Sequence, residues 1–90
     1  MKAVLFYGTK PDITMERIME VYPRHAAVVD DFKNSGKVLG IGPYGNPGEG
    51  SMGIFTDKAS AEEFSRIDPF VLEGIVSEIT IREWNDSLLG

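Results

Sequence analysis

The chain has 90 residues, a formal net charge of -5 and no cysteine. That length supports one hydrophobic core rather than two, and the missing thiols exclude disulfide staples, thiolate nucleophiles and Cys-ligated zinc. The nine cationic side chains are scattered, so nucleic acid and anionic lipid would both meet net repulsion and neither is an expected partner.

Residues 2–7 are rich in Val, Leu, Phe and Tyr and then meet Gly8, which predicts a strand. The run is too short for a signal-peptide core or a bilayer span, so a cytoplasmic location is the default expectation. Ala3, Leu5 and Tyr7 fall on one face and Val4 and Phe6 on the other, which predicts a central strand covered on both sides. From residue 14 to residue 34 the spacing of Ile18, Tyr22, His25, Val29 and Phe32 is helical. Pro23 would remove a hydrogen bond and clash inside one helix, whereas it suits the first turn of a second. The expectation is therefore a short helix over residues 15–21, a kink or restart, and a longer helix closed by Ser35 and a left-handed Gly36.

Strands follow at residues 38–42 and 52–56, joined by a Gly- and Pro-rich connection too long for a tight hairpin. Residues 58–67 form the second main helix, with Ser60 and Glu63 spaced as a capping box. Asp68-Pro69 opens a short helical turn ended by Gly74, and residues 75–84 form the last strand, with Ile75, Ile79 and Ile81 on one face and Val76 and Trp84 on the other. The order is βαββαβ in one domain spanning residues 1–90, an α+β, ferredoxin-like arrangement. It predicts a four-stranded antiparallel sheet in the spatial order fourth, first, third, second, with both main helices on one face. Apolar residues on the opposite face imply a homodimer, with Leu88 and Leu89 of the tail reaching across the partner.

His25 is the only histidine, hence the only side chain whose ordinary pKa lies near neutrality, and its stripe points it towards the sheet. It can be a packed imidazole bonded to a backbone carbonyl, or a general acid or base. Asp68, before Pro69, is suited to cap the short helix, and a capping carboxylate can also orient a histidine. One histidine without a tight carboxylate pattern supplies no convincing metal shell, and the glycines between Gly40 and Gly53 lack a phosphate-binding motif, so no metal or organic cofactor is expected. Gly40, Gly42, Ser51 and Gly53 could leave room above the sheet for a small ligand. Ser51 has no nucleophile-elbow pattern around it.

The opening strand, Pro23-Arg24-His25, Gly36, Leu39-Gly40-Ile41-Gly42-Pro43, Asp68-Pro69-Phe70 and Gly74 occur in an order that resembles the YCII-related (YciI-like) family across almost the whole chain. The resemblance implies a dimeric α+β barrel, in which two sheets face each other. It also implies that His25 and Asp68 match the family's proposed active-site histidine and aspartate, with Phe70 in the aromatic position after the Asp-Pro pair. The connection after Gly42-Pro43 is more compact than in many family members, so substrate preference does not carry over. The resulting expectation is a small cofactor-independent enzyme with catalytic His25 and Asp68. Tyr7, Gly42, Pro43, Ser51 and Phe70 are its candidate substrate contacts. Its ligand is a small aromatic or enolic molecule that undergoes isomerisation, elimination or lactone chemistry. The alternative is a non-catalytic ligand-binding or interaction module of the same fold, in which the two residues form a structural hydrogen bond.

Overall fold

A strand with apolar side chains on both faces needs neighbours on both edges and cover on both sides. In the computed structural model, which describes residues 1–46 and 48–87, β1 (Lys2–Thr9) has those neighbours. It pairs antiparallel with β3 (Ser51–Phe55) and with β4 (Val76–Trp84), while β2 (Val38–Pro43) pairs with the outer edge of β3. The resulting order is β2-β3-β1-β4, with the order of elements βαββαβ plus one extra helical turn. This is the ferredoxin-like arrangement expected from the sequence. No helix among the described residues is long and apolar enough to cross a membrane.

One face of the sheet carries α1 (Met15–Asn34) and α2 (Lys58–Ile67). Ala3, Leu5 and Tyr7 of β1 meet Phe55 of β3, Phe32 of α1, and Ala61 and Phe64 of α2 in a single buried cluster. The three phenylalanines meet in edge-on and tilted pairs, with ring centroids 5.2 to 6.3 Å apart. Such geometry matches the positive edge of one ring to the negative face of another.

Three local expectations need correction. Pro23 does not divide the first helical segment: α1 is continuous. Pro23 and Met19, one turn before it, both lie on the exposed side, so water can reach the carbonyl that loses its helical partner. The cap of α2 is Asp57 rather than Ser60: the Asp57 Oδ1 accepts from the Ser60 backbone N–H at 2.8 Å. The Asp57 carboxylate therefore takes the Ser60 amide that, in the expected box, the Glu63 side chain would have satisfied. Val76 packs against the core alongside Ile81 instead of sharing a face with Trp84. A register shift at Gly8 and Thr9 places Thr9 opposite Val76 and turns strict alternation over by one residue.

The start and finish of α1 follow ordinary capping chemistry. The Thr14 hydroxyl accepts from Arg17 N–H at 3.1 Å. At the other end the Lys37 and Gly36 amides donate back to the Phe32 and Lys33 carbonyls at 2.8 and 3.1 Å, with Gly36 at φ 73°. That pair of bonds is a Schellman closure, for which glycine avoids a Cβ clash.

The face without helices carries Val4 and Phe6 of β1, Met52 and Ile54 of β3 and Trp84 of β4, with Trp84 45% exposed. The expected reach of Leu88 and Leu89 across a partner falls outside the described residues.

Candidate active site

Asp68 occupies a corner where one helix ends and another begins. Its backbone N–H donates to the Phe64 carbonyl at 2.9 Å, closing α2. Its side-chain Oδ1 accepts from Phe70 N–H at 3.1 Å, capping α3 (Pro69–Leu72). Pro69 suits the first position of that short helix because its fixed φ is helical and it has no amide to satisfy. The sequence therefore fixes the carboxylate at a bend, and the bend points it into the helix–sheet layer, where it is fully buried.

Two further groups converge on that carboxylate. His25 Nδ1 lies 2.7 Å from Asp68 Oδ1, and the Tyr7 hydroxyl donates to Oδ2 at 2.9 Å. Phe70 N–H donates to Oδ1 and the Tyr7 hydroxyl to Oδ2, so both oxygens act as acceptors. When Nδ1 donates to Asp68 Oδ1, the lone pair of a neutral imidazole lies on Nε2. Burial, followed by the charge of Asp68 and the hydrogen bond to it, pushes the Tyr7 hydroxyl far above its ordinary pKa. Tyr7 consequently remains a donor to Asp68.

Aromatic contacts hold the imidazole in place. Phe70 stacks on it with centroids 4.1 Å apart and planes 14° apart, and Phe64 meets it edge-on at 6.0 Å. The His25 side chain is 13% exposed. No buried side-chain nitrogen or oxygen among the described residues lacks a hydrogen-bond partner, and Nε2 has none from the protein, so Nε2 is reached by solvent.

A pocket of about 390 Å³ opens beside this ring. His25, Tyr7, Gly42, Pro43, Ser51 and Phe70 all border it, whereas Asp68 stays behind the imidazole. The four small residues expected to open space divide by position. Gly42 and Ser51 reach the pocket, but Gly53 is buried where a Cβ would lie 3.0 Å from Phe55 and 3.2 Å from Ile41. Gly40 is paired with Ile54 and does not border the pocket.

Met15, Ile18, Met19 and Tyr22 of α1 form another wall of the pocket. The sequence carries a signal for them: an apolar stripe at helical spacing over the first turns of α1, partly exposed and rich in adaptable methionine, exceeds what core packing needs. The connection after β2 closes the opposite side, with Tyr44 N–H bonded to the Gly50 carbonyl at 2.9 Å. Gly50 has φ 121°, and a Cβ there would come within 2.2 Å of the Tyr7 carbonyl oxygen. Glycine is therefore required both for the backbone angle and for the close approach to β1.

A model of the YCII-related domain matches residues 1–85. The chain belongs to the YCII-related family. Among solved structures, this YCII-related protein is similar to 5-chloro-2-hydroxyhydroquinone dehydrochlorinase from Burkholderia phenoliruptrix, determined in complex with 2,5-dihydroxybenzoquinone. The TM-score is 0.79 at 20% identity, covering 97% of this chain and 96% of that one. It is also similar to the Arabidopsis thaliana protein At3g17210 in a crystal structure, with TM-score 0.53, 16% identity and coverage of 99% and 97%. The solution structure of At3g17210 gives TM-score 0.55, 14% identity and coverage of 99% and 89%. These likenesses establish a shared ferredoxin-like α+β fold. No curated protein matches the chain in sequence.

Proposed function

We propose that this YCII-related protein is a small acid–base enzyme in which Nε2 of His25 moves a proton to or from an apolar ligand in the adjoining pocket. The observation that carries this reading is the buried Asp68 carboxylate 2.7 Å from Nδ1, which leaves the opposite ring nitrogen free beside a cavity. Asp68 selects the tautomer with a basic Nε2 and stabilises the imidazolium formed when that atom takes a proton. Tyr7 holds the second carboxylate oxygen, and Phe70 limits rotation of the imidazole plane. A proton transfer of this kind needs only the imidazole, and it suits isomerisation, elimination or lactone formation on a small aromatic or enolic substrate. The elimination chemistry named for the Burkholderia dehydrochlorinase gives one concrete starting probe.

The test is turnover of a panel of small enolic ketones and chlorinated hydroquinones, including 5-chloro-2-hydroxyhydroquinone. His25→Ala is expected to lose about 100- to 10,000-fold of the proton-transfer rate, about 3 to 5 kcal/mol of barrier, while keeping its circular dichroism. Asp68→Asn should bind the same substrate but turn it over more slowly. Turnover that survives unchanged in His25→Ala rejects the assigned role.

The same reading includes a homodimer formed through the helix-free faces of two sheets. Phe6, Met52 and Ile54 are only half-buried there, beside the exposed Trp84, and a second sheet would remove this apolar area from water. Sedimentation equilibrium over a broad concentration range is expected to give twice the chain mass; a persistent monomer at the highest concentration rejects the dimer.

A further inference from the structure

The pocket beside His25 is mostly apolar, and its one readily titratable side chain is His25 itself. None of the residues that border it is Lys, Arg, Asp or Glu. The polar side chains on its walls are those of His25, Thr9, Tyr22, Tyr44 and Ser51, together with Tyr7, whose hydroxyl is bonded to Asp68. Lys10, which follows Thr9, does not border the pocket, and its Nζ lies near Gly74. Arg17 and Arg24 of α1 reach Glu73 at 2.8 and 3.4 Å, and neither borders the pocket. Their hydrogen bonds hold the Glu73 carboxylate below the usual range, consistent with a satisfied ion-pair network outside the cavity.

A ligand anion entering this cavity would lose water without meeting a fixed positive charge. It would also approach the Asp68 carboxylate directly behind the imidazole. Protonation of His25 could supply a cation, but that charge is shared with Asp68 from the outset. The chain as a whole carries a net charge of -5, which opposes anion entry over longer range. Neutral oxygen atoms, in contrast, match the hydroxyls, each of which can donate or accept.

We propose that the pocket selects uncharged molecules with an apolar body and hydroxyl or carbonyl oxygens, and discriminates against carboxylates and phosphates of the same shape. This rests on the pocket being the ligand site assigned above, though not on proton transfer by His25. Discrimination arises because a carboxylate forfeits hydration that no group in the cavity replaces, whereas a neutral amide, alcohol or ketone has far less to lose. The small volume further restricts the occupant to about the size of a substituted benzene, near the lower end of ordinary ligand pockets at ~300 Å³.

Two nearly isosteric probes isolate the charge: 4-hydroxybenzamide and 4-hydroxybenzoate, each titrated into the full chain by calorimetry. Because His25 is the only histidine, its ring resonances report unambiguously whether a probe sits in this pocket. The benzamide is expected to bind and shift those resonances, and the benzoate to bind at least about tenfold more weakly, a penalty consistent with unpaired charge burial. Met19→Arg places a cation on the pocket wall at a position 59% exposed, where the helix tolerates a long polar side chain. It should erase or reverse the preference. Met15→Arg repeats the test one turn earlier, should Met19→Arg fold poorly.

Equal or tighter binding of the benzoate by the parent overturns the proposal. So does the absence of any His25 shift from either probe up to roughly 10 mM, weaker than a ligand of this size should bind a matched pocket. An unchanged preference in folded arginine variants overturns it as well. His25→Gln separates this inference from the catalytic reading. Preference retained in a parent that turns over none of the panel removes catalysis and leaves the ligand class. Preference absent from an active parent, with turnover lost in His25→Gln, does the reverse.

Discussion

The two ends of the layer between helices and sheet use the same elements and acquire opposite character. At one end Phe32, Phe55 and Phe64 are no more than 4% exposed and interlock ring against ring. At the other, the layer opens into a pocket bordered by His25, Tyr22 and the methionines of α1. The change occurs along one helix face. Phe32 is followed, two turns towards the N-terminus, by an imidazole, and facing it are Gly42 of β2 and Gly45, Gly48 and Gly50 of the connection, which have no side chains with which to fill the space. Dense packing at one end supplies cohesion that allows the other end to remain hollow. The buried Asp68, gripped by three partners, stands at the boundary.

Truncating the dense end should be the most damaging way to break this contrast. Phe55→Ala is expected to lower unfolding stability by about 3 to 5 kcal/mol in urea titrations, through lost burial and the cavity left behind. A loss under about 1 kcal/mol would mean that the aromatic cluster is not the source of cohesion.

At the boundary, Tyr7→Phe removes one donor from a buried carboxylate and should cost about 1.5 to 3 kcal/mol at neutral pH. Its pH dependence sharpens the assignment. The folded chain holds Tyr7 far above its ordinary pKa, so the folded state keeps a proton that the unfolded chain releases above about pH 10. The stabilisation is fully present below that value and declines as pH rises through it. The stability difference between parent and Tyr7→Phe should accordingly shrink above about pH 10, measured by urea midpoints along a pH series. A constant gap would show that the hydroxyl is not held by Asp68.

The smallest effect belongs to the hollow end. Met19→Ala should change stability by no more than about 0.5 kcal/mol, because the side chain is largely exposed and its loss opens no enclosed void. A change comparable to that of Phe55→Ala would erase the distinction between the two ends.

Much of the fold was legible because its signals are local. The two-sided apolar pattern around Leu5 marks a central strand, Gly36 marks a helix end, and Asp68-Pro69 marks a new helical turn. Pro23 misleads because propensity records the missing hydrogen bond but not the exposure of Met19, on whose side water can take that bond's place. Val76 misleads because one bulge at Gly8 and Thr9 inverts the alternation on the paired strand. Candidate site residues were legible individually, but their meeting was not. His25 and Asp68 are separated by 43 positions, and only family likeness linked them before the hydrogen bond was seen. The grip of Tyr7 on Asp68 has no sequence signature, since a strand pattern fixes the face of a tyrosine and not the reach of its hydroxyl.

Gly50 offers a practical handle on the molecule. Its approach to the Tyr7 carbonyl and the Tyr44–Gly50 hydrogen bond pin both feet of the connection, whose described tip residues Gly45, Asn46, Gly48 and Glu49 are exposed. The tip is thus an insertion port: residues can be grafted between Tyr44 and Gly50 to reshape the pocket rim, with the imidazole and its supports on other elements left in register. A library diversified there would vary ligand choice over a constant scaffold, whereas replacing Gly50 itself would drive a side chain into β1 and disturb every graft alike.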